Sequence, residues 1–212
     1  MAGILDLLNG ELGKTIVSGI AGQTGQDTNK TSSVLKMALP VLMQAMSRNA
    51  STSQGAEGLM GALNNKHDGS ILDNLEGLFG GGVDSNVLDD GDKILNHVLG
   101  NKQSNVENVI GQQSGLDANS VAQILKVAAP ILMGNLGKQS RQKNVSNSSG
   151  LGGLLGGILN DSSQQQEQSL LESILDADGD GSMIDDVAGM LLDSDKKKGD
   201  LDGLLGDLME KL

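Results

Sequence analysis

No cysteine, tryptophan or tyrosine occurs in this chain of 212 residues, and Phe79 is its only aromatic side chain. Each absence removes a class of function. Without cysteine there is no disulfide frame and no thiolate chemistry, which fits a reducing compartment. Without aromatic rings there is no platform for stacked bases and no cage for a quaternary ammonium group. The core has to come from Leu, Ile, Val, Met and Ala, at roughly 25 cal/mol for each Å² of apolar surface buried. Hydrophobic residues make up only 37% and glycine contributes 31 positions, so burial is lean and folding costs much backbone entropy. Modest stability is expected.

Positive charge is also scarce. Lys and Arg number 15 against 27 Asp and Glu, a net charge of −12. The excess is spread along the chain, with 6 against 11 in residues 1–100 and 9 against 16 in the rest. Such a protein repels phosphate backbones and anionic lipids, and it lacks the basic face of a nucleic-acid binder. Long apolar runs are missing too. No stretch approaches the ~20 apolar residues of a membrane span. The N-terminus, MAGILDLLNGELGK, has neither the basic start nor the long apolar stretch of a signal peptide. The expectation is a cytoplasmic protein with no nucleic-acid partner and no membrane span.

What the chain does have is a repeat. Residues 20–46 align without a gap on residues 110–136, and 11 of the 27 positions are identical. Both prolines of the chain, Pro40 and Pro130, fall on equivalent places. The apolar spacing is helical in both copies (Ile16, Val17, Ile20, then Val34, Leu35, Ala38), and no convincing period-two strand appears. The sequence therefore predicts an all-α fold of tandem duplicated helical modules. In each copy a short helix ends near Gly25 or Gly115. A longer one starts near Asp27 or Asp117, where a carboxylate can cap free N–H groups. Pro40 and Pro130 lie inside the longer helices and are expected to kink them.

A second pair of matching segments, DGSILDNLEGL at 68–78 and DGSMIDDVAGM at 180–190, stands at an offset about 22 residues longer. The extra length falls at about 141–169, RQKNVSNSSGLGGLLGGILNDSSQQQEQS. This reads as a flexible linker with a weak helix, the alternative being a segment that docks on a partner or a membrane surface. The units are then 1–82 for the first repeat and 83–193 for the second. An acidic tail, 194–212, carries a short amphipathic helix through Leu201, Leu204, Leu205, Leu208 and Leu212.

These residues resemble a known family. The stretch GLDANSVAQILKVAAPILMGNLGKQ and its first copy, GQDTNKTSSVLKMALPVLMQAM, are similar to the bacterial YidB-like family, also described as domain of unknown function 937. HDGSILDNLEGLFGGG and GDGSMIDDVAGML fit the same pattern. The resemblance implies an all-helical bacterial protein with no assigned activity, and it carries over no catalytic residue.

Two site chemistries are legible. The first is a helix-turn-helix: small Gly111, turn Gly115 and buried-type Val121 and Ile124 have the required spacing, as do Ala21, Gly25, Thr31 and Val34. The presented side chains would be Asp117, Ala118, Asn119, Ser120 and Gln123. None is an Arg, which argues against reading DNA. The second is a calcium loop in DADGDGSMIDDV, residues 176–187. Asp176, Asp178 and Asp180 take the first three ligand positions, Gly181 turns the chain, and the Ser182 carbonyl follows. The closing Glu is missing, Val187 standing in its place, and Asp185 or Asp186 is the candidate that closes a shorter loop. In the first copy Lys66 puts a cation in the same place, so that copy is not expected to bind. The shared part has a structural explanation as well: Ser70 with Asp73, and Ser182 with Asp185, are capping-box pairs.

No catalytic constellation assembles. His67 and His97 read as surface side chains, and no phosphate loop or nucleophile motif occurs. The nine methionines read as core filler, with a Met-rich partner groove as the alternative. The chain is therefore expected to be a non-enzymatic protein-interaction or scaffold module, acting on a protein partner or by self-association. Calcium is its only candidate cofactor.

Overall fold

A computed structural model describes residues 8–162, with side chains to residue 159. The fold is all-α, and no strand occurs among the described residues. In chain order the helices are α1 Glu11–Thr24, α2 Thr28–Asn49, α3 Ser53–Asn65, α4 Ser70–Asp73, α5 Leu75–Gly80 and α6 Ser85–Leu99. A 3-10 turn, Gly100–Lys102, leads into α7 Gln103–Ser114, α8 Ala118–Gln142 and α9 Ser148–Ser162.

The repeated segments form the same local structure. α1 ends on Gly25 at φ +66° and α7 on Gly115 at φ +68°, a left-handed turn that glycine adopts without strain. Gln26 N–H closes onto Ala21 O, and Leu116 N–H onto Gly111 O, each at 3.0 Å. The next helix is then capped by aspartate. Asp27 Oδ1 accepts from the amides of Asn29 and Lys30 at 2.9 and 3.0 Å. Asp117 Oδ1 accepts from the Ser120 amide at 3.0 Å. The helix starts expected from sequence are therefore where they form.

Both long helices run on through their proline. Pro130 has no N–H, so the Lys126 carbonyl one turn earlier loses its helical donor. Gly91 of α6 lies against that oxygen, and a Cβ at residue 91 would overlap it. The proline thus lies one turn from a close approach of the α6 backbone to α8.

One apolar cluster takes residues from both repeats. The packing is reciprocal. α1 lies on α8 as well as on α2, and α7 lies on α2 as well as on α8. α3 packs against α8, while α9 packs against α2. Polar ties cross in the same sense: Lys30 Nζ donates to Gly115 O at 3.0 Å, and Gln26 Nε2 to Ser120 Oγ at 3.1 Å. By length and composition α8 alone among the described helices could cross a membrane, but its apolar window is 72% buried, as in a core helix.

The linker expected at about 141–169 needs correction where it is described. Residues 148–162 are helical, and Leu151, Leu154, Leu155 and Ile158 are buried in the common core. Their i, i+3, i+4, i+7 spacing puts four aliphatic side chains on one face. Gly152, Gly153, Gly156 and Gly157 point into open space on the other. Met43, Met46 and Met133 are buried as core filler.

Candidate functional site

The region with the most chemistry is the turn from α3 to α4, seated on the C-terminal half of α8. α8 presents glycine where the turn approaches. A Cβ at Gly137 would overlap the His67 carbonyl oxygen, and one at Gly134 would overlap the Ile71 side chain. Gly69 turns at φ +100° directly over Lys138. The basic residues of α8 then clamp the acidic turn, with Lys138 Nζ 3.1 Å from Asp73 Oδ1 and Arg141 Nη2 3.4 Å from Asp68 Oδ2. These exposed pairs add positional definition more than energy.

The capping expectation for this turn was misplaced. Gly69, not Ser70, is the N-cap of α4, and it makes no side-chain cap bond. Asp68 Oδ1 accepts from the Ser70 amide at 3.0 Å instead. Bonds from Ser70, then the Arg141 charge, hold the Asp68 carboxyl below its usual range.

His67 is not the surface residue expected from sequence. It is 7% exposed, and its Nε2 lies 3.3 Å from Asp90 Oδ2 on α6. Burial pushes its pKa below the usual 6.5, opposed by Asp90, with Lys66 lowering it further and Asp68 raising it. That direction favours the neutral ring, whose N–H would point at Asp90. No sequence signal joins residues 67 and 90. Only the packing of α3 and α6 on α8 brings them together.

Two clefts meet at this pair. One of about 420 Å³ has a mixed lining and opens over Ser70, Asn86 and Asp89. The other, about 440 Å³, runs between α3 and α6 with Met133 of α8 in its floor. Leu59, Ala62, Ile94 and Val98 line its apolar walls, and Lys66, Lys93 and His97 stand along it. A third cleft, about 380 Å³, contains the Lys126–Asp92 ion pair at 2.8 Å.

Asp90 faces His67 Nε2 as an orienting carboxylate would, which leaves Nδ1 as the other ring nitrogen, and no hydroxyl is hydrogen-bonded to the ring among the described residues. No group of three or more His, Asp or Glu among the described residues could hold a metal ion.

The calcium candidates Asp176, Asp178, Asp180, Ser182 and Asp186 lie outside the described residues. Of the helix-turn-helix candidates, Asp117 and Ser120 are engaged with each other, Ser120 Oγ donating to Asp117 Oδ2 at 2.7 Å. Those bonds also hold the Asp117 carboxyl below its usual range. Lys30, a cation that DNA would need, is bonded to the Gly115 carbonyl.

A family model described as a bacterial protein of unknown function, DUF937, matches residues 6–139 and 142–211. No curated protein and no solved structure matches the chain.

Proposed function

The chain belongs to the DUF937 family of bacterial proteins of unknown function, and on that premise we propose that it is a non-enzymatic protein-interaction module that works through the groove between α3 and α6. The observation behind this reading is the groove itself. Its walls are apolar, with Ala62 and Val98 half-buried and Leu59, Ile94 and Met133 belonging to the buried core. A concave apolar surface with a few placed polar groups is the usual form of a binding site.

Gly61 offers a clean test. It lines the groove, and a Cβ there meets nothing within 4 Å. Gly61→Leu fills the groove while improving helix propensity by roughly 0.5–1 kcal/mol. Partner capture and sedimentation should show associations for the wild type that the variant loses. A strictly monomeric wild type with the same captured set as the variant rules the reading out.

A second reading rests on sequence spacing. We propose Asp176, Asp178 and Asp180, with the Ser182 carbonyl and Asp186, as a calcium loop of about micromolar or weaker affinity. Calorimetry with calcium on the wild type and on Asp178→Ala decides it. Equal heats from the two proteins exclude the loop.

A further inference from the structure

Charge singles out the same groove. Four basic side chains are spent on nearby carboxylates: Lys14 on Glu11, Lys126 on Asp92, Lys138 on Asp73 and Arg141 on Asp68. Lys66 and Lys93 are different. Both are exposed, both line the groove, and neither has an acidic partner among the described residues. Asp90 is the only carboxylate lining it, and it faces His67. In a chain of net charge −12, Lys66 and Lys93 stand beside an apolar floor without an acidic partner; Lys36, exposed and equally without one, lies outside the groove.

The fold also limits how a partner can be recognised. Strand addition needs an open sheet edge, and no strand occurs among the described residues. Polyproline recognition needs an aromatic-lined groove, and the chain has one phenylalanine, which is not in this groove. A helix laid in a groove between helices fits these walls, anchored by apolar side chains at i, i+3, i+4 and i+7.

We propose that the α3–α6 groove receives an acidic amphipathic helix of a protein partner. Its aliphatic face packs on the groove wall at Ala62 and Val98, beside the largely buried Leu59 and Ile94, and its carboxylates meet Lys66 and Lys93. The proposal rests on the groove reading above and adds the chemistry of the occupant. Complementary charge sets partner choice and encounter rate more than final affinity, so the charge signature should appear in salt dependence and selectivity.

The test uses the full chain and two labelled helical peptides of identical length, each with leucines along one face. One carries Glu at the flanking positions and the other Lys. Binding is read by fluorescence anisotropy. The Glu peptide should bind at least about tenfold more tightly than the Lys peptide, and weaken several-fold between low and high salt. Lys66→Glu with Lys93→Glu should reverse the preference, and Gly61→Leu should abolish binding, with circular dichroism confirming that both variants fold. Equal binding of the two peptides, or no effect of the double charge reversal, overturns the acidic partner. If the Lys peptide binds better and Gly61→Leu still blocks it, the groove stands and only its occupant is wrong. If neither peptide binds, both ideas fall. Binding to anionic vesicles that depends on Lys66 and Lys93, without peptide preference, overturns the proposal in favour of a lipid surface.

Discussion

At the scale of single residues, two buried polar groups carry testable consequences. Thr31 is fully buried, and its hydroxyl has no hydrogen-bond partner. Its counterpart in the second repeat is Val121, equally buried. An unpaired buried hydroxyl costs about 1 kcal/mol or more. Thr31→Val should therefore stabilise the protein by about 1 kcal/mol, seen as a higher urea midpoint at unchanged slope. A lower midpoint means the hydroxyl is satisfied. His67 gives a pH effect. Its folded pKa lies below the ordinary 6.5 because burial disfavours the cation. Between the folded value and 6.5 the unfolded chain binds the proton and the folded one does not. Stability is thus greatest above 6.5 on this account and falls as pH drops through that window. His67→Gln should flatten the fall. A variant with the same pH slope as the wild type would show that other groups cause it.

At the scale of helices, glycine has opposite meanings at different places. Gly91 lets α6 reach the Lys126 carbonyl that Pro130 leaves free, and a Cβ would collide with it. Gly91→Ala should cost roughly 1–3 kcal/mol, since the collision is with backbone that cannot turn aside. Gly152 lies on the outer face of α9 with open space around it. Gly152→Ala should instead stabilise by roughly 0.5–1 kcal/mol, through helix propensity alone. Chemical unfolding of the two variants checks both signs together. A Gly91→Ala protein as stable as the wild type would mean the α6–α8 approach is not needed.

At the scale of the whole molecule, the two repeats are not two cores. α1 and α2 of the first repeat complete their burial on α7, α8 and α9. A fragment of residues 1–82 should consequently show weak helicity and no cooperative melt. Mixing it with the fragment 83–212 should recover both, as followed by circular dichroism. A cooperative transition from 1–82 alone would show that one repeat can bury enough surface by itself.

The sequence by itself determined the elements. Helical spacing gave the fold class, and Gly25, Gly115, Asp27 and Asp117 placed the turns and helix starts, because caps act between residues a few positions apart. It misjudged the 148–162 segment, whose glycines suggested looseness while its aliphatic residues were spaced for one buried face. Tertiary structure alone decided the site. The His67–Asp90 pair, the seat at Gly134 and Gly137, and the lysine-flanked groove join residues far apart in the chain. Local spacing cannot encode such meetings. They arise because α8 is buried among α1, α2, α3, α6 and α7, and its shape fixes what lies beside what.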